Sequence, residues 1–256
     1  MTIHDEGAVF IINDAARRAK LIQEFEGDLR LIVVAPGLDC EPLVDAFPMA
    51  TIAVYVNMTA VSLFGPDNET MEVHRDLLAS NPRWLYPPRI GQIGHQKDVH
   101  SWGGRTHRSM SPHKNWALRP TFGVADAMAK WAQHALGATP FADSVYGDDC
   151  WWETPAWIWA QVSDVWDQYS LQQFRSRWHG VRNHMIDGIP ANVITNSLGH
   201  PIPGTEVCCA EEADPWLLGR EVEQNIRQGT GIITWKNSDF ADLGSVIPGT
   251  ILPEDW

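Results

Sequence analysis

Two apolar runs joined by a tight turn and a short helix constrain the fold of this chain more than any other feature. The runs are Leu29–Ala35 and Thr51–Val56, and both are rich in β-branched residues without polar alternation. This pattern is typical of strands that are buried on both faces, as in a parallel sheet. Ligands of such sheets collect at the carboxyl ends of the strands, where the Pro36-Gly37 turn and Asn57 fall. We therefore expect an α/β protein with a mostly parallel sheet, flanking helices and a ligand site at that edge.

The overall composition is that of a globular protein. The chain has 256 residues, of which 44% are hydrophobic and 20% are charged, so it can bury a substantial core. It has no run of eighteen apolar residues, and we expect no membrane span. The first residues carry acids where a signal peptide needs bases, and four cysteines do not form a disulfide scaffold at this length. These features predict a cytoplasmic protein with free thiols.

The charge balance argues against a general nucleic-acid-binding protein. The formal net charge is −13, whereas phosphate contacts need Lys and Arg. One local exception is the segment 95–114, which contains a single acidic residue and four basic ones: Lys97, Arg105, Arg108 and Lys114. Arg105 and Arg108 are therefore candidate contacts for a substrate phosphate. The alternative is a solvated loop whose charges bind nothing specific.

The hydrophobic periodicity predicts further elements on both sides of the two apolar runs. Asp14 is a suitable cap for a helix that ends near Phe25, and residues 155–186 are expected to be helical with a break near Gly180. The expected strands are Ala8–Ile12, Ser144–Tyr146, Val193–Thr195 (followed by Asn196) and Gly231–Trp235, and the expected helices also include about 69–79, 123–136 and 215–228. We expect residues 1–150 to form the ligand-binding core, with a long irregular loop at about 87–122. Residues 151–256, helical and rich in tryptophan, would complete the same domain.

Tryptophan is unusually frequent in the second half. The chain has 13 tryptophans, and Trp151, Trp152, Trp157 and Trp159 are almost consecutive. A large aromatic surface with one N–H group suits stacking on a sugar or a base at a half-wet pocket, which makes Trp151 a candidate substrate contact. Packing of helices against the sheet is the simpler explanation of such a cluster.

Three groups of motifs occur in an order that resembles one group of enzymes. The first group is VVAPGLD (Val33–Asp39) with TIAVYVN (Thr51–Asn57), the second is the helix Phe122–Ala138 with YGDD (Tyr146–Asp149), and the third is DGIPANVITN (Asp187–Asn196). Together they cover roughly a third of the chain. In this order they resemble a Rossmann-like sugar-transferase group. That group includes flagellin-modifying glycosyltransferases, the domain-of-unknown-function family 115 and bacterial sialyltransferase-like enzymes.

The resemblance implies a Rossmann-like fold and a glycosyltransferase that takes a sugar from a nucleotide-activated donor. The implied cofactor set is a nucleotide-sugar co-substrate with nothing tightly bound, and a divalent metal is not favoured. The acceptor (a glycan, a protein or a nucleic-acid base) and the oligomeric state stay open. The residues assigned to nucleotide binding are Pro36, Gly37, Asp39, Asn57, Gly123 and Asp148.

Chemical reasoning adds a catalytic pair to this set. Asp149, after the strand, could face the transferred sugar, and His184 could accept the proton of the acceptor hydroxyl. Arg182 lies beside His184 in sequence and could steady a phosphate. The simpler interpretations are a structural Asp148-Asp149 turn and an exposed histidine; likewise, Asp39 could be only a helix cap and Asn57 only a strand terminator.

Two other classes of function remain as alternatives. A metal-dependent hydrolase could use the loop histidines His95, His100, His107 and His113, although neither HExxH nor paired CxxC motifs occur. A non-catalytic nucleotide-binding protein would need the Pro36-Gly37 turn and Asn57 but no base. A serine hydrolase of the G-x-S-x-G type and a Walker phosphate loop are excluded because neither motif is present.

Overall fold

The computed structural model of the chain describes residues 2–4, 7–27, 29–62, 81–84, 99–102, 105–108, 115–150, 158–159, 169–197, 201–205, 207–211, 231–235 and 250–252. The strands are β1 (Thr2–His4), β2 (Gly7–Ile12), β3 (Leu29–Val34), β4 (Thr51–Asn57), β5 (Ala60–Ser62), β6 (Val99–Trp102), β7 (Arg105–Arg108), β8 (Asn115–Ala117), β9 (Ser144–Asp148), β10 (Asn192–Asn196), β11 (Val207–Glu211), β12 (Gly231–Trp235) and β13 (Thr250–Leu252). The helices are α1 (Ala15–Glu24), α2 (Glu41–Ala46), α3 (Phe122–Gly137) and α4 (Leu171–Asp187), and a 3-10 turn spans Pro82–Trp84.

The main sheet places its parallel strands side by side in chain order. Its strand order is β1-β13-β12-β11-β10-β9-β4-β3-β2. Every neighbouring pair from β2 to β12 is parallel, and β13 and β1 are added antiparallel at one edge. The sheet is curled, as shown by Cα atoms of β12 that lie within 8 Å of Cα atoms of β2. The described parallel strands therefore form a curled, half-barrel sheet wound in chain order.

This topology confirms an α/β protein with a mostly parallel sheet and flanking helices, but the Rossmann-like prediction is wrong. A doubly wound sheet reverses its strand order at a switch point, and the described sheet shows no such reversal. The error has a physical cause. Both architectures are built from the same right-handed β-α-β units, so the local sequence pattern does not distinguish them.

The two faces of the parallel strands bury different side chains. Alternate residues such as Val54 and Val145 belong to the main hydrophobic cluster, which also contains the buried sides of the helices. The opposite, inner face of the curl holds a second cluster of Leu31, Val33, Ala53, Tyr146, Ile194, Val207 and Cys209, with Tyr55 packed against it. Among the described residues, side chains therefore fill the lower part of the inner face.

Local signals account for the helices. The Asp14 side chain caps α1 by accepting from the Arg17 N–H at 2.8 Å, which confirms the predicted start. The Ser170 and Gln173 side chains form a capping box at the start of α4. The predicted break near Gly180 is wrong, since α4 runs through it. A helical glycine costs about 1 kcal/mol relative to alanine, and burial of Trp178 and its neighbours on that helix outweighs this cost.

Some predicted segments differ from the structure or lie outside its described part. The segment predicted as an irregular loop contains the antiparallel hairpin β6–β7 and the strand β8, which pairs with β5. The helices predicted at about 69–79 and 215–228 lie outside the described residues, as do residues 155–157 and 160–168 of the long helical region. Among the helices that the structure describes, none has the length and apolar character needed to cross a membrane.

Candidate functional site

Polar side chains end three neighbouring parallel strands on the inner face. Asn57 ends β4 and lies opposite Asp148 at the end of β9. Thr195 of β10 pairs with Gly147, so Asn196 follows directly beside Asp148. Alternation along each strand places these three residues on the face that carries the second cluster. The result is a polar group at the carboxyl-end mouth of the curled sheet.

Asp148 is the centre of this group and accepts three hydrogen bonds. Its Oδ2 atom accepts from the Tyr55 hydroxyl at 2.6 Å. Its Oδ1 atom accepts from Asn196 Nδ2 at 2.9 Å and from the Asp149 backbone N–H at 2.8 Å. Short bonds to a carboxylate are charge-assisted and directional. The Asp148 carboxylate is therefore held in one orientation by three neighbouring segments of the chain.

The following residue, Asp149, is held by the end of β4. Its φ of 56° lies in the left-handed region, which few residues other than glycine adopt and which Asp tolerates better than most. Its Oδ2 atom accepts from Asn57 Nδ2 at 2.6 Å. The Asn57 amide is itself oriented, because its Oδ1 atom accepts from the Thr59 N–H at 3.1 Å. A strained backbone at a strand end is a frequent feature of functional sites.

Tyr55 links the mouth to the filled part of the inner face. Its ring stacks on Tyr146, with 6.2 Å between centroids and 21° between planes. Burial raises the pKa of the Tyr55 hydroxyl well above its ordinary value, and the negative charges of Asp148 and Asp149 raise it further. The phenol thus stays protonated and serves as a hydrogen-bond donor to Asp148.

The predicted phosphate-binding turn lies against another connection of the fold. Gly37, with φ 80°, donates its N–H to Thr139 Oγ1 at 2.9 Å, and Pro36 is buried. The Asp39 side chain is exposed, forms an ion pair with Arg18 at 3.5 Å and accepts from the Glu41 N–H. The structure therefore packs this turn against the segment between α3 and β9, and the donor-binding roles of Pro36, Gly37 and Asp39 stay predictions.

The predicted residues on the helices are not gathered with Asp149. Arg182 donates to the Cys150 carbonyl at 3.3 Å and is held by Asn183, and burial lowers the pKa of its guanidinium. His184 is exposed, and its Nε2 atom lies 2.8 Å from Asp126 Oδ1. Gly123 is exposed in the first turn of α3. Arg182 thus lies behind the turn after β9, and His184 lies on the surface between α3 and α4.

The remaining predicted contacts are only partly described. Arg105 and Arg108 lie at the two ends of β7, and His100 pairs with His107 across the hairpin. Trp151, and the loop residues His95 and His113, lie outside the described residues. In the part of the chain that the structure describes, no group of three or more His, Cys, Asp and Glu residues is arranged to hold a metal ion. The basic surface and the metal requirement stay predictions.

Sequence reasoning missed two members of the site. Asn196 was recognised only as the end of a predicted strand, and Tyr55 only as part of an apolar run. A usable signal existed: Asn57, Asp148 and Asn196 each follow a buried run at its carboxyl end. The carboxyl ends of parallel strands converge in a curled sheet, which would have brought Asn196 to Asp148. The residue two positions before Asn57 points to the same face of the sheet, which would have added Tyr55.

No family model and no curated protein sequence matches the chain. Among solved structures, the chain is similar to the trehalulose synthase MutB from Pseudomonas mesoacidophila MX-45, with TM-score 0.36 and 10% identity over 72% of this chain and 40% of that one. It is also similar to the α-glucosyl transfer enzyme XgtA, with TM-score 0.37 and 11% identity over 81% and 52%. For the Nostoc punctiforme debranching enzyme the TM-score is 0.33, with 11% identity over 76% and 40%.

These likenesses are too distant to assign this chain a family or an activity, and the chain spans only about half or less of each neighbour's length. The described sheet is wound in chain order without the reversal of a doubly wound fold, so the predicted membership of the Rossmann-like glycosyltransferase group is wrong. The transfer from a nucleotide-activated donor, which was expected only from that resemblance, loses its basis.

Proposed function

We propose that the chain is a carbohydrate-active enzyme that cleaves or transfers a glycosidic bond, with Asp148 as its catalytic carboxylate. The observation that carries this proposal is the threefold hydrogen bonding of Asp148 by Tyr55, Asn196 and the Asp149 N–H. A carboxylate that is bound only by neutral donors keeps its negative charge available to a ligand.

The location of Asp148 supports catalysis. In β/α barrels the active site lies at the carboxyl-end face, and its residues come from the ends of several different strands. Asn57, Asp148 and Asn196 come from three neighbouring strands and converge at that face. Below them the second cluster fills the inner face, so the Asp148 carboxylate has a water-poor floor formed by Tyr55 and Tyr146.

The chemistry of the group supports a neutral polyhydroxylated ligand. The described side chains at the mouth offer two carboxylates, two carboxamides and one phenol, which together both donate to and accept from hydroxyl groups. A phosphate ligand would instead be bound by guanidinium groups or by helix N-termini. Arg182, the nearby cation, uses its Nη1 atom on the Cys150 carbonyl. A sugar ring therefore suits the mouth better than a nucleotide diphosphate does.

A fixed carboxylate can stabilise the reaction centre of a glycoside. Positive charge develops at the anomeric carbon as the glycosidic bond breaks, and an aspartate beside it either stabilises this charge or attacks the carbon as a nucleophile. Because its three donors are already in place, Asp148 needs no reorganisation when the charge develops. Asp149 and Asn57 would bind ring hydroxyls at the same mouth.

The test compares the wild type with Asp148→Asn on a panel of chromogenic aryl glycosides and on oligosaccharides with α and β linkages. We expect the wild type to release sugar from at least one of them. Loss of a catalytic group lowers the rate by about 10²- to 10⁴-fold, and we expect a loss in that range for Asp148→Asn. The control is Asp45→Asn, which changes an exposed residue of α2 in the same way and should leave turnover unchanged.

Two results would overturn the proposal. One is a wild-type protein that turns over no glycoside although it is folded by circular dichroism. The other is an Asp148→Asn variant as active as the Asp45→Asn control. Either result would return Asp148 to a structural role in the turn after β9.

A further inference from the structure

We propose that Tyr55 is a positioning residue that makes Oδ2 of Asp148 the reacting oxygen of the site. This inference rests on the proposed function, in which Asp148 is the catalytic carboxylate. The inference specifies which of the two carboxylate oxygens meets the anomeric carbon and which side chain orients that oxygen. The carrying observation is the 2.6 Å hydrogen bond from the Tyr55 hydroxyl to that oxygen.

The two oxygens of Asp148 are not equivalent. Each carboxylate oxygen can accept about two hydrogen bonds. Oδ1 already accepts two, from Asn196 Nδ2 and from the Asp149 N–H, and these contacts occupy its acceptor directions. Oδ2 accepts one, from Tyr55, in the part of the chain that the structure describes. The lone pair left for a substrate is therefore on Oδ2.

The packing around Tyr55 fixes the position of its hydroxyl relative to Asp148. Tyr55 lies on the inner face of β4, two residues before Asn57, and Asn57 is opposite Asp148 on β9. Two residues along a strand span about 6.6 Å, which is close to the reach of a tyrosine side chain. The ring is fixed from behind by Tyr146 and by the second cluster. A rigid phenol thus fixes the angle at which Oδ2 faces the mouth.

The Tyr55 hydroxyl also stands out among the groups around the carboxylate. Among the described residues, the titratable or charged groups around Asp148 are Tyr55 on β4, Tyr146 on β9, Asp149 and Cys150 in the following turn, and Arg182 of α4 behind Cys150. Of these side chains, Tyr55 is the one whose polar hydrogen points to Oδ2. Removing that hydrogen leaves the charge of Asp149 unchanged and takes away the hydrogen bond that orients Oδ2.

The test is Tyr55→Phe, which removes one hydroxyl and keeps the ring that packs on Tyr146. We expect the acid limb of the kcat/KM profile against pH to differ from that of the wild type, because the variant lacks the hydrogen bond that the reacting oxygen accepts. We expect kcat to fall about 10-fold with little change in KM, because the interaction acts on the reacting oxygen and not on substrate binding. The matched control is Tyr146→Phe, the same change on the neighbouring ring, whose acid limb should stay in place.

A second measurement does not depend on turnover. The carboxyl carbon of Asp148 is followed by ¹³C NMR during a pH titration and is assigned by its loss in Asp148→Asn. A change of its signal during the titration in Tyr55→Phe, but not in Tyr146→Phe, supports the positioning role even if no glycoside is turned over, in which case only the proposed function fails. An active wild type whose pH profile and carboxyl titration are unchanged in Tyr55→Phe would overturn the inference and leave the proposed function standing.

Discussion

The two faces of the same strands differ in what their alternate residues contribute. On the outer face, Val54, Val145 and Val193 lie in the main hydrophobic cluster with the helices. On the inner face, the strands carry apolar side chains below and end in Asn57, Asp148 and Asn196. Neighbouring residues of a strand point to opposite faces, so a position that stabilises the core stands next to one that can contribute to a functional site.

This difference shows how the chain can hold a polar group without losing its core. The outer-face residues of the strands pack with the helices in the main hydrophobic cluster, whereas the polar groups lie at the ends of the inner face. Each carboxylate at the mouth accepts from an amide or a phenol of a neighbouring strand. We therefore expect outer-face substitutions to change stability and inner-face substitutions to change activity.

The largest effect on stability should come from the outer side, at Trp178. This side chain of α4 is 1% exposed and lies in the main cluster. Replacing a fully buried Trp with Ala costs about 3–5 kcal/mol, and we expect Trp178→Ala to lower the free energy of unfolding, measured in urea, by that amount. Phe122→Ala is the control, because Phe122 is 59% exposed and its loss should cost about 0.5 kcal/mol or less.

The distinction between the faces would fail if Trp178→Ala, still folded, lost as much activity per folded molecule as Asp148→Asn. It would also fail if Phe122→Ala proved as destabilising as Trp178→Ala.

A smaller effect should appear at Gly147, the outer-face residue directly before Asp148. A Cβ added there would lie 2.5 Å from Met58 Cε, and Met58 is fully buried. Overpacking of this kind costs about 1–3 kcal/mol, so Gly147→Ala should lower the thermal midpoint. The double variant with Met58→Ala should lose less than the sum of the two single losses, since the two changes share one space.

Gly180→Ala is the matched control for this substitution. A Cβ at Gly180 meets nothing within 4 Å, and alanine is favoured over glycine inside a helix by about 1 kcal/mol. The same chemical change should therefore raise the thermal midpoint at Gly180 and lower it at Gly147. Equal shifts at both glycines would show that contact with Met58 does not decide the result.

The smallest effect on stability should come from Asp143. This residue directly precedes β9, whereas Asp148 is the last residue of that strand. Burial raises the pKa of Asp143 from its ordinary value of 3.8, and the Ser144 hydroxyl bond opposes this. A raised pKa means that the ionised form is less stable in the folded state. This residue thus favours folding only at low pH, and its contribution is lost as the pH rises from 3.8 through the folded-state pKa.

Asp143→Asn should accordingly raise the thermal midpoint near pH 7 by a small amount and should give no gain well below pH 3.8. Midpoints measured by calorimetry at a series of pH values would show this. A gain of the same size at all pH values would contradict the ionisation argument. Since the variant lies at the opposite end of β9 from Asp148, it should leave glycoside turnover unchanged.

Much of the local structure could be predicted because its causes are local. The runs Leu29–Ala35 and Thr51–Val56 are the strands β3 and β4 almost to the residue, and Asp14 starts α1. The winding of the sheet could not be predicted in this way. Each right-handed β-α-β unit is compatible with a doubly wound sheet and with a barrel, and only packing between distant units selects one.

The site was predicted in part for the same reason. Asn57, Asp148 and Asp149 stood out because they follow buried strands. The assignment of His184 and Arg182 beside them assumed that residues close in a motif are close in space. In the structure His184 lies with Asp126 on the helices, whereas Tyr55 and Asn196 reach Asp148 from 93 and 48 residues away.

The sequence by itself determined which segments become buried strands, where the helices begin and which polar residues end those strands. These properties follow from side-chain periodicity, capping groups and turn residues, which act over a few residues. Tertiary structure alone decided that the strands are wound in chain order and curl, and that Tyr55 and Asn196 meet one carboxylate. Such contacts depend on the register and closure of the whole sheet, and no short stretch of the chain encodes them.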